Sequence, residues 1–145
     1  MRIAFGSDER TSLTDTLVEV LRSRGAEVEL VGPPAGEDLA WPGVGHRVGE
    51  RVAAGGADTG IVCCWTGTGV AIAANKVPGV RAALCGDAAT AAGARRWNDA
   101  NVLALSLRLV TATVAEEIVD AWLATDPDPG EAENIAAVER SDPGR

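Results

Sequence analysis

The sequence predicts an α/β protein: one doubly wound, three-layer α/β/α domain around a five-stranded parallel sheet. Two observations predict it. Short apolar runs alternate five times with segments of helical period. The runs are nearly continuous in their apolar character, as strands covered on both faces of a parallel sheet require. The length, 145 residues, suits a single domain with a real core.

Each element follows from its local pattern. "RIAFG" (2–6) reads as a buried strand. "SLTDTLVEVLRSRG" carries Leu13, Leu17, Val20 and Leu21 at helical spacing, with Ser12 as the expected cap and Gly25 as the stop. "AEVELVG" (26–32) is a second strand and "PPAGEDLAWPG" a loop. "VGHRVGERVAAGG" (44–56) reads as a helix despite its internal glycines. Strand "ADTGIVCC" (57–64) precedes helix "GVAIAANK", and strand "GVRAALCG" (79–86) precedes helix "DAATAAGARRW" with Asp87 as N-cap. "ANVLALS" (100–106) is the fifth strand and "TATVAEEIVDAWLAT" (111–125) the last long helix. Residues 131–140 form one more short helix. Two units result, a domain over 1–125 and a polar segment over 126–145 read as packing on a partner subunit.

Composition excludes several functions. Lys and Arg number 13 against 21 Asp and Glu, a net charge of −8 that does not suit a nucleic-acid backbone. No apolar run is long enough for a membrane span. "MRIAFGSD" enters a strand without a signal-peptide pattern, and an odd set of three cysteines suits a reducing compartment, so a cytoplasmic location is expected. His46 is the only histidine and no CxxC pair exists, so neither a metal nor another cofactor is expected.

In a sheet of this type, ligands bind outside the carboxyl ends of the strands. That rule gathers Ser7 to Glu9, Cys64 to Gly69, Gly86 and Asp87, and Ser106 to Arg108. In "CCWTGTG", Gly67 and Gly69 let backbone N–H groups face outward at a helix start, a nest that attracts an oxyanion. The helix terminus favours thiolate at Cys64. A thiolate beside such a nest can take a proton next to a carbonyl while the nest and the Thr66 hydroxyl hold the enediolate. Cys63 and Cys64 also read as small core residues, and Asp8 as a cap for the first helix. "TGTG" is not a dinucleotide fingerprint.

The strings "RIAFGSD", "CWTGTGVAIAANKVPGVRAALC", "RRWNDANVLAL" and "EEIVDAWLAT" resemble the type B ribose-5-phosphate isomerases and the related galactose-6-phosphate isomerase subunits, in order, over residues 2 to 125. The resemblance implies a Rossmann-like subunit and a homodimer or dimer of dimers with sites shared across the interface. It also implies no metal, and aldose–ketose isomerisation through a cis-enediolate. Carried over by position, Cys64 falls on the base, Thr66, Gly67 and Gly69 on the anion-holding turn, Asp8 on a sugar-binding aspartate and Asn98 on a substrate-contacting asparagine.

Departures from the family pattern are as informative. Glu9 stands where the family has histidine after the aspartate, and Trp97 where many members have the ring-opening histidine. Trp65 replaces glycine after the cysteine. Glu131 and Ile135 fall where arginines grip the sugar phosphate. Two imidazoles and two guanidiniums are thus exchanged for two acids, an indole and an alkyl group, and Trp65 adds a second indole. Glu9 becomes the candidate proton shuttle, and Trp65 with Trp97 a stacking platform for a sugar ring. Arg10, Arg95, Arg96 or Arg108 are candidates to replace the lost cations, although the Arg95–Arg96 pair also reads as solvated helix surface. The expected function is an aldose–ketose isomerase with a substrate altered from ribose 5-phosphate. The alternative is a catalytically impaired sugar-binding or regulatory subunit.

Overall fold

A computed structural model describes residues 1–141; residues 142–145, the end of the polar C-terminal segment, lie outside the described residues. Five strands run parallel in the order β2-β1-β3-β5-β4: β1 (Arg2–Ser7), β2 (Glu27–Val31), β3 (Thr59–Cys64), β4 (Ala82–Leu84) and β5 (Val102–Ser106). The order reverses beside β1, which opens a crevice between the carboxyl ends of β1 and β3.

Six helices complete the chain: α1 (Ser12–Ser23), α2 (Trp41–Ala53), α3 (Thr68–Asn75), α4 (Ala88–Asn98), α5 (Ala112–Ala124) and α6 (Ala132–Arg140). Alternation along the strands divides two cores. Ile3, Phe5, Ile61, Cys63, Leu103 and Leu105 face α1, α4 and α5. Ala4, Val62, Cys64, Val102 and Ala104 face α2 and α3. The second face is built from small residues, and α2 and α3 are packed tightly there. A Cβ on Gly45 would lie 2.6 Å from the Ala73 Cβ and 2.8 Å from the Val70 carbonyl oxygen. The glycines inside the second helix are therefore contact points between helices, which offsets their low helix propensity.

Several boundaries differ from the sequence expectation. The first helix is capped by Thr11, not Ser12 or Asp8: Thr11 is extended, its hydroxyl accepts from the Thr14 N–H at 3.2 Å, and its N–H donates to the Thr14 hydroxyl at 2.8 Å. α2 starts at Trp41 because Pro42, read as loop, occupies the first turn, where its missing N–H is no loss. The fourth strand shrinks to three residues at the sheet edge. Its open side is bracketed by Asn75, which accepts from the Ala82 N–H at 2.8 Å and donates to the Ala82 carbonyl at 2.9 Å. Asp87 caps α4 as expected, accepting from the Thr90 N–H at 2.7 Å.

α6 differs from the rest. None of its residues is buried, and it packs extensively only on the short turn Pro129–Glu131 that precedes it. An ion pair from Arg81 to Glu139 ties it to the domain. No helix is long and apolar enough to cross a membrane among the described residues.

Candidate active site

The carboxyl edge of the sheet brings most of the predicted residues together. Ser7 at the end of β1 lies opposite Cys63, and Cys64 lies opposite Ser106 at the end of β5. The loop after β5 is stitched to the Cys64–Trp65 turn. The Ser106 hydroxyl donates to the Trp65 carbonyl at 3.0 Å, the Arg108 N–H donates to the same oxygen at 3.1 Å, and the Leu107 N–H donates to the Cys64 carbonyl at 3.0 Å. This lacing fixes where the turn begins.

Gly67 then takes a left-handed conformation (φ 75°) and starts α3. A Cβ there would sit 2.8 Å from the backbone carbon of Leu105, so only glycine fits. Threonine or aspartate side chains cap α1, α4 and α5; α2, α3 and α6 have no side-chain cap, and of these α3 is the one that directly follows the Cys64 strand. Its first N–H groups and the helix dipole remain for a ligand with negative charge. Thr66 and Thr68 share a hydroxyl hydrogen bond of 2.7 Å beside them.

The two adjacent cysteines face opposite layers. Cys63 is fully buried, and burial, then the neighbouring Cys64 and Asp8, push its thiol far above the ordinary range. Cys64 lies on the α2–α3 side, 5% exposed, at the base of the uncapped helix. The third thiol, Cys85, is raised to about 11 by burial and then by Asp87, and it donates weakly to the Ala83 carbonyl. All three cysteines are free. No cluster among the described residues has the three His, Cys, Asp or Glu groups that a metal would need.

Asp8 and Glu9 complete this edge. The Asp8 Oδ1 atom is buried without a hydrogen-bond partner. Burial, and then the charge of Glu9, hold the Asp8 carboxyl above its usual range. A buried acceptor with no partner is suited to a substrate hydroxyl.

Trp97 and Asn98 do not join this group within one chain. α4 runs antiparallel to the strands, so its last turn reaches the amino edge of the sheet. The span of β5, about 13 Å of strand, separates that edge from Cys64. There Trp97 and Asn98 line a cleft of about 490 Å³ with Arg81, Glu131, Ile135 and Val138. Glu131 and Ile135, expected at the positions of phosphate-gripping arginines, therefore line one cleft with Trp97 and Asn98, expected at substrate-contacting positions. Arg81 is spoken for, donating to the Asp99 carbonyl at 2.8 Å and paired with Glu139. Trp65 and Trp97 form no platform within one subunit.

The candidate cations are also sorted. Arg10 pairs with Asp15 at 2.9 Å. Arg95 is not solvated helix surface: it pairs with Asp99 at 2.9 Å and lies 5.6 Å over the Trp122 ring. Arg96 and Arg108 are exposed and form no ion pair among the described residues. One residue of the carboxyl edge escaped the sequence reading. Trp41, placed in a loop there, heads α2, and its ring lies against Gly69. The spacing of Trp41, Gly45 and Gly49, four residues apart, was the available signal.

Residues 3–138 match the ribose/galactose isomerase family. The chain is 40% identical over 144 residues to ribose-5-phosphate isomerase B of Escherichia coli (strain K12), covering 96% of this chain and 97% of that one. It is 38% identical to D-erythrulose-4-phosphate isomerase of Pectobacterium atrosepticum, covering 85% and 82%. Among solved structures, Clostridium thermocellum ribose-5-phosphate isomerase B superposes with a TM-score of 0.90 at 40% identity, over 97% of this chain and 96% of that one.

Proposed function

Because this chain belongs to the ribose/galactose isomerase family, and so is an aldose–ketose isomerase, we propose that it works through Cys64 on a sugar other than ribose 5-phosphate. Cys64 takes the proton from one carbon and returns it to its neighbour through a cis-enediolate. The first N–H groups of α3 and the Thr66 hydroxyl hold the oxyanion, with Gly67 and Gly69 shaping the turn. The observation that carries this reading is the uncapped start of α3 directly after the Cys64 strand end. Asp8 accepts a substrate hydroxyl through its unpartnered oxygen. Glu9 moves protons between oxygens, since the only histidine, His46, is exposed on α2.

Trp97 and Asn98 can act only from a second copy, whose amino edge closes over the first copy's carboxyl edge. A homodimer, or a dimer of such dimers, accommodates this. α6, with Val138 60% exposed, is the segment left to pack on the partner. A cytoplasmic location suits three free, buried cysteines.

The substrate's far end then meets Trp97, Glu131 and Ile135, with no free guanidinium among the described residues that line the cleft. Losing two charge-assisted contacts, each about 1.5–3 kcal/mol, weakens phosphate binding there by roughly a hundredfold or more. An unphosphorylated or differently charged sugar fits better, and Arg108 is a cation at the carboxyl edge with no ion pair among the described residues. The test is a screen of aldoses, ketoses, uronates and their phosphates for exchange of a carbon-bound proton with deuterated water. Another sugar should exchange faster than ribose 5-phosphate. Turnover of ribose 5-phosphate with a sub-millimolar KM would overturn the altered substrate.

A further inference from the structure

We propose that Trp41 is a specificity-determining residue of this isomerase, an indole wall over the anion-holding turn that limits the length of sugar the site accepts. The position of this wall follows from helix packing. Trp41, Gly45 and Gly49 lie four residues apart on one ridge of α2. Gly45 meets Ala73 and the backbone of α3, and a Cβ on Gly49 would lie 3.0 Å from Val77. The two glycines seat α2 against α3, and one turn further toward the carboxyl edge the ridge ends in its bulkiest member.

That member lies on the site. A Cβ on Gly69 would be 2.9 Å from Cε3 and 3.0 Å from Cδ2 of Trp41, so the ring touches the backbone of the first turn of α3. Cys64 packs in the same layer with Val44, three residues along α2, and with Val70, beside Gly69. The indole, the thiol and the uncapped helix start therefore border one corner of the sheet. Trp41 nevertheless stays 44% exposed, so it is not consumed by its packing on Gly69. An open indole beside an oxyanion nest offers its apolar face to the C–H side of a carbon chain and blocks the space beyond. Because the glycine ridge seats α2 against α3, the residue that carries the ring is held at this corner, which steric selection requires.

The inference rests on the carboxyl edge being where proton transfer occurs. The test measures proton exchange for sugars of four, five and six carbons, with the wild type, Trp41→Ala, Trp41→Leu and Trp41→Phe. The readout is the ratio of kcat/KM between consecutive chain lengths, which does not depend on the folded fraction of a preparation. Trp41→Ala and Trp41→Leu should each shift this ratio about tenfold or more toward the longer sugar, the scale of one methylene in a shaped pocket. Trp41→Phe, which keeps a ring over Gly69, should shift it less. An unchanged ratio, or equal loss for every sugar, overturns the role of Trp41 and leaves the isomerase reading standing. Exchange that survives Cys64→Ala undiminished would remove the reading itself, and this inference with it.

Discussion

The two edges of the sheet are built on opposite plans. At the carboxyl edge, some polar groups are left open: α3 starts without a side-chain cap, and a buried carboxyl oxygen of Asp8 has no partner. At the amino edge, polar groups are closed upon each other. Asn101 accepts from the Arg81 N–H at 2.7 Å and donates to the Gly79 carbonyl at 2.9 Å, while Arg81 and Arg95 both grip Asp99. Unsatisfied polar groups are costly, so a fold keeps them where a ligand repays the cost. On the proposed function, the difference separates the edge where chemistry occurs from one whose polar groups are bonded to each other, on which Trp97 and Asn98 are displayed.

The largest expected effect breaks the comparison at Cys64. Cys64→Ala should lower turnover at least about a hundredfold, the scale of a positioned base. Cys63→Ala, one residue away on the other face, should leave kcat near the wild-type value and lower stability by about 1 kcal/mol. Steady-state kinetics with thermal melts on both variants checks this, and equal kinetic damage from the two would count against the assignment.

The edges can next be tested for cooperation. If one copy's amino edge serves the other's thiol, Cys64→Ala and Asn98→Ala subunits should complement one another. Mixing after dissociation should restore roughly a quarter of wild-type activity by random pairing, because mixed dimers carry one intact site. Activity no greater than the sum of the parents, or a monomer by light scattering at micromolar concentration, would leave each chain with only half of the proposed site.

A smaller effect concerns the turn. Gly67→Ala forces a side chain into a left-handed conformation and against Leu105, and should destabilise by at least about 2 kcal/mol in chemical denaturation. An unaffected melt would mean that the turn is more adaptable than its lacing to β5 suggests.

The smallest effect is electrostatic. The folded-state value of Asp8 lies above the unfolded one, so its contribution to stability is complete below the unfolded value and is lost as pH rises through the folded value. Asp8→Asn should therefore stabilise the protein at neutral pH by less than about 1 kcal/mol, since the carboxyl is partly solvated. It should also flatten the dependence of stability on pH across that interval. A destabilised variant would show instead that the carboxylate has a favourable partner.

Much of this was legible in the sequence because it rests on local pattern. The alternation of strands and helices, the opposed faces of Cys63 and Cys64, and the cap at Asp87 depend on neighbours within a few residues. The separation of Trp97 from Trp65 was not legible, because both lie at element ends and only topology decides which edge each end reaches. The motif "GVAIAANKVPGVRAAL" also concealed a division of labour. Asn75 in it serves the free side of β4 and Arg81 anchors α6, so neither works at the carboxyl edge. The reach of Trp41 depended on helix packing, where two glycines looked like weaknesses of a helix until their contact with α3 was known.

The four tryptophans are unequal in a way that makes the protein its own optical probe. Trp122 is sealed in the interior, its indole N–H donating to the Thr59 hydroxyl at 3.0 Å with the Arg95 guanidinium overhead. Trp41, Trp65 and Trp97 stand in solvent at the two edges. Their emission should be red-shifted and open to collisional quenchers, and that of Trp122 blue-shifted and shielded, which a spectrum with and without a quencher checks. With no tyrosine in the chain, the red component reports on whatever covers the two edges, and the blue component supplies a built-in reference.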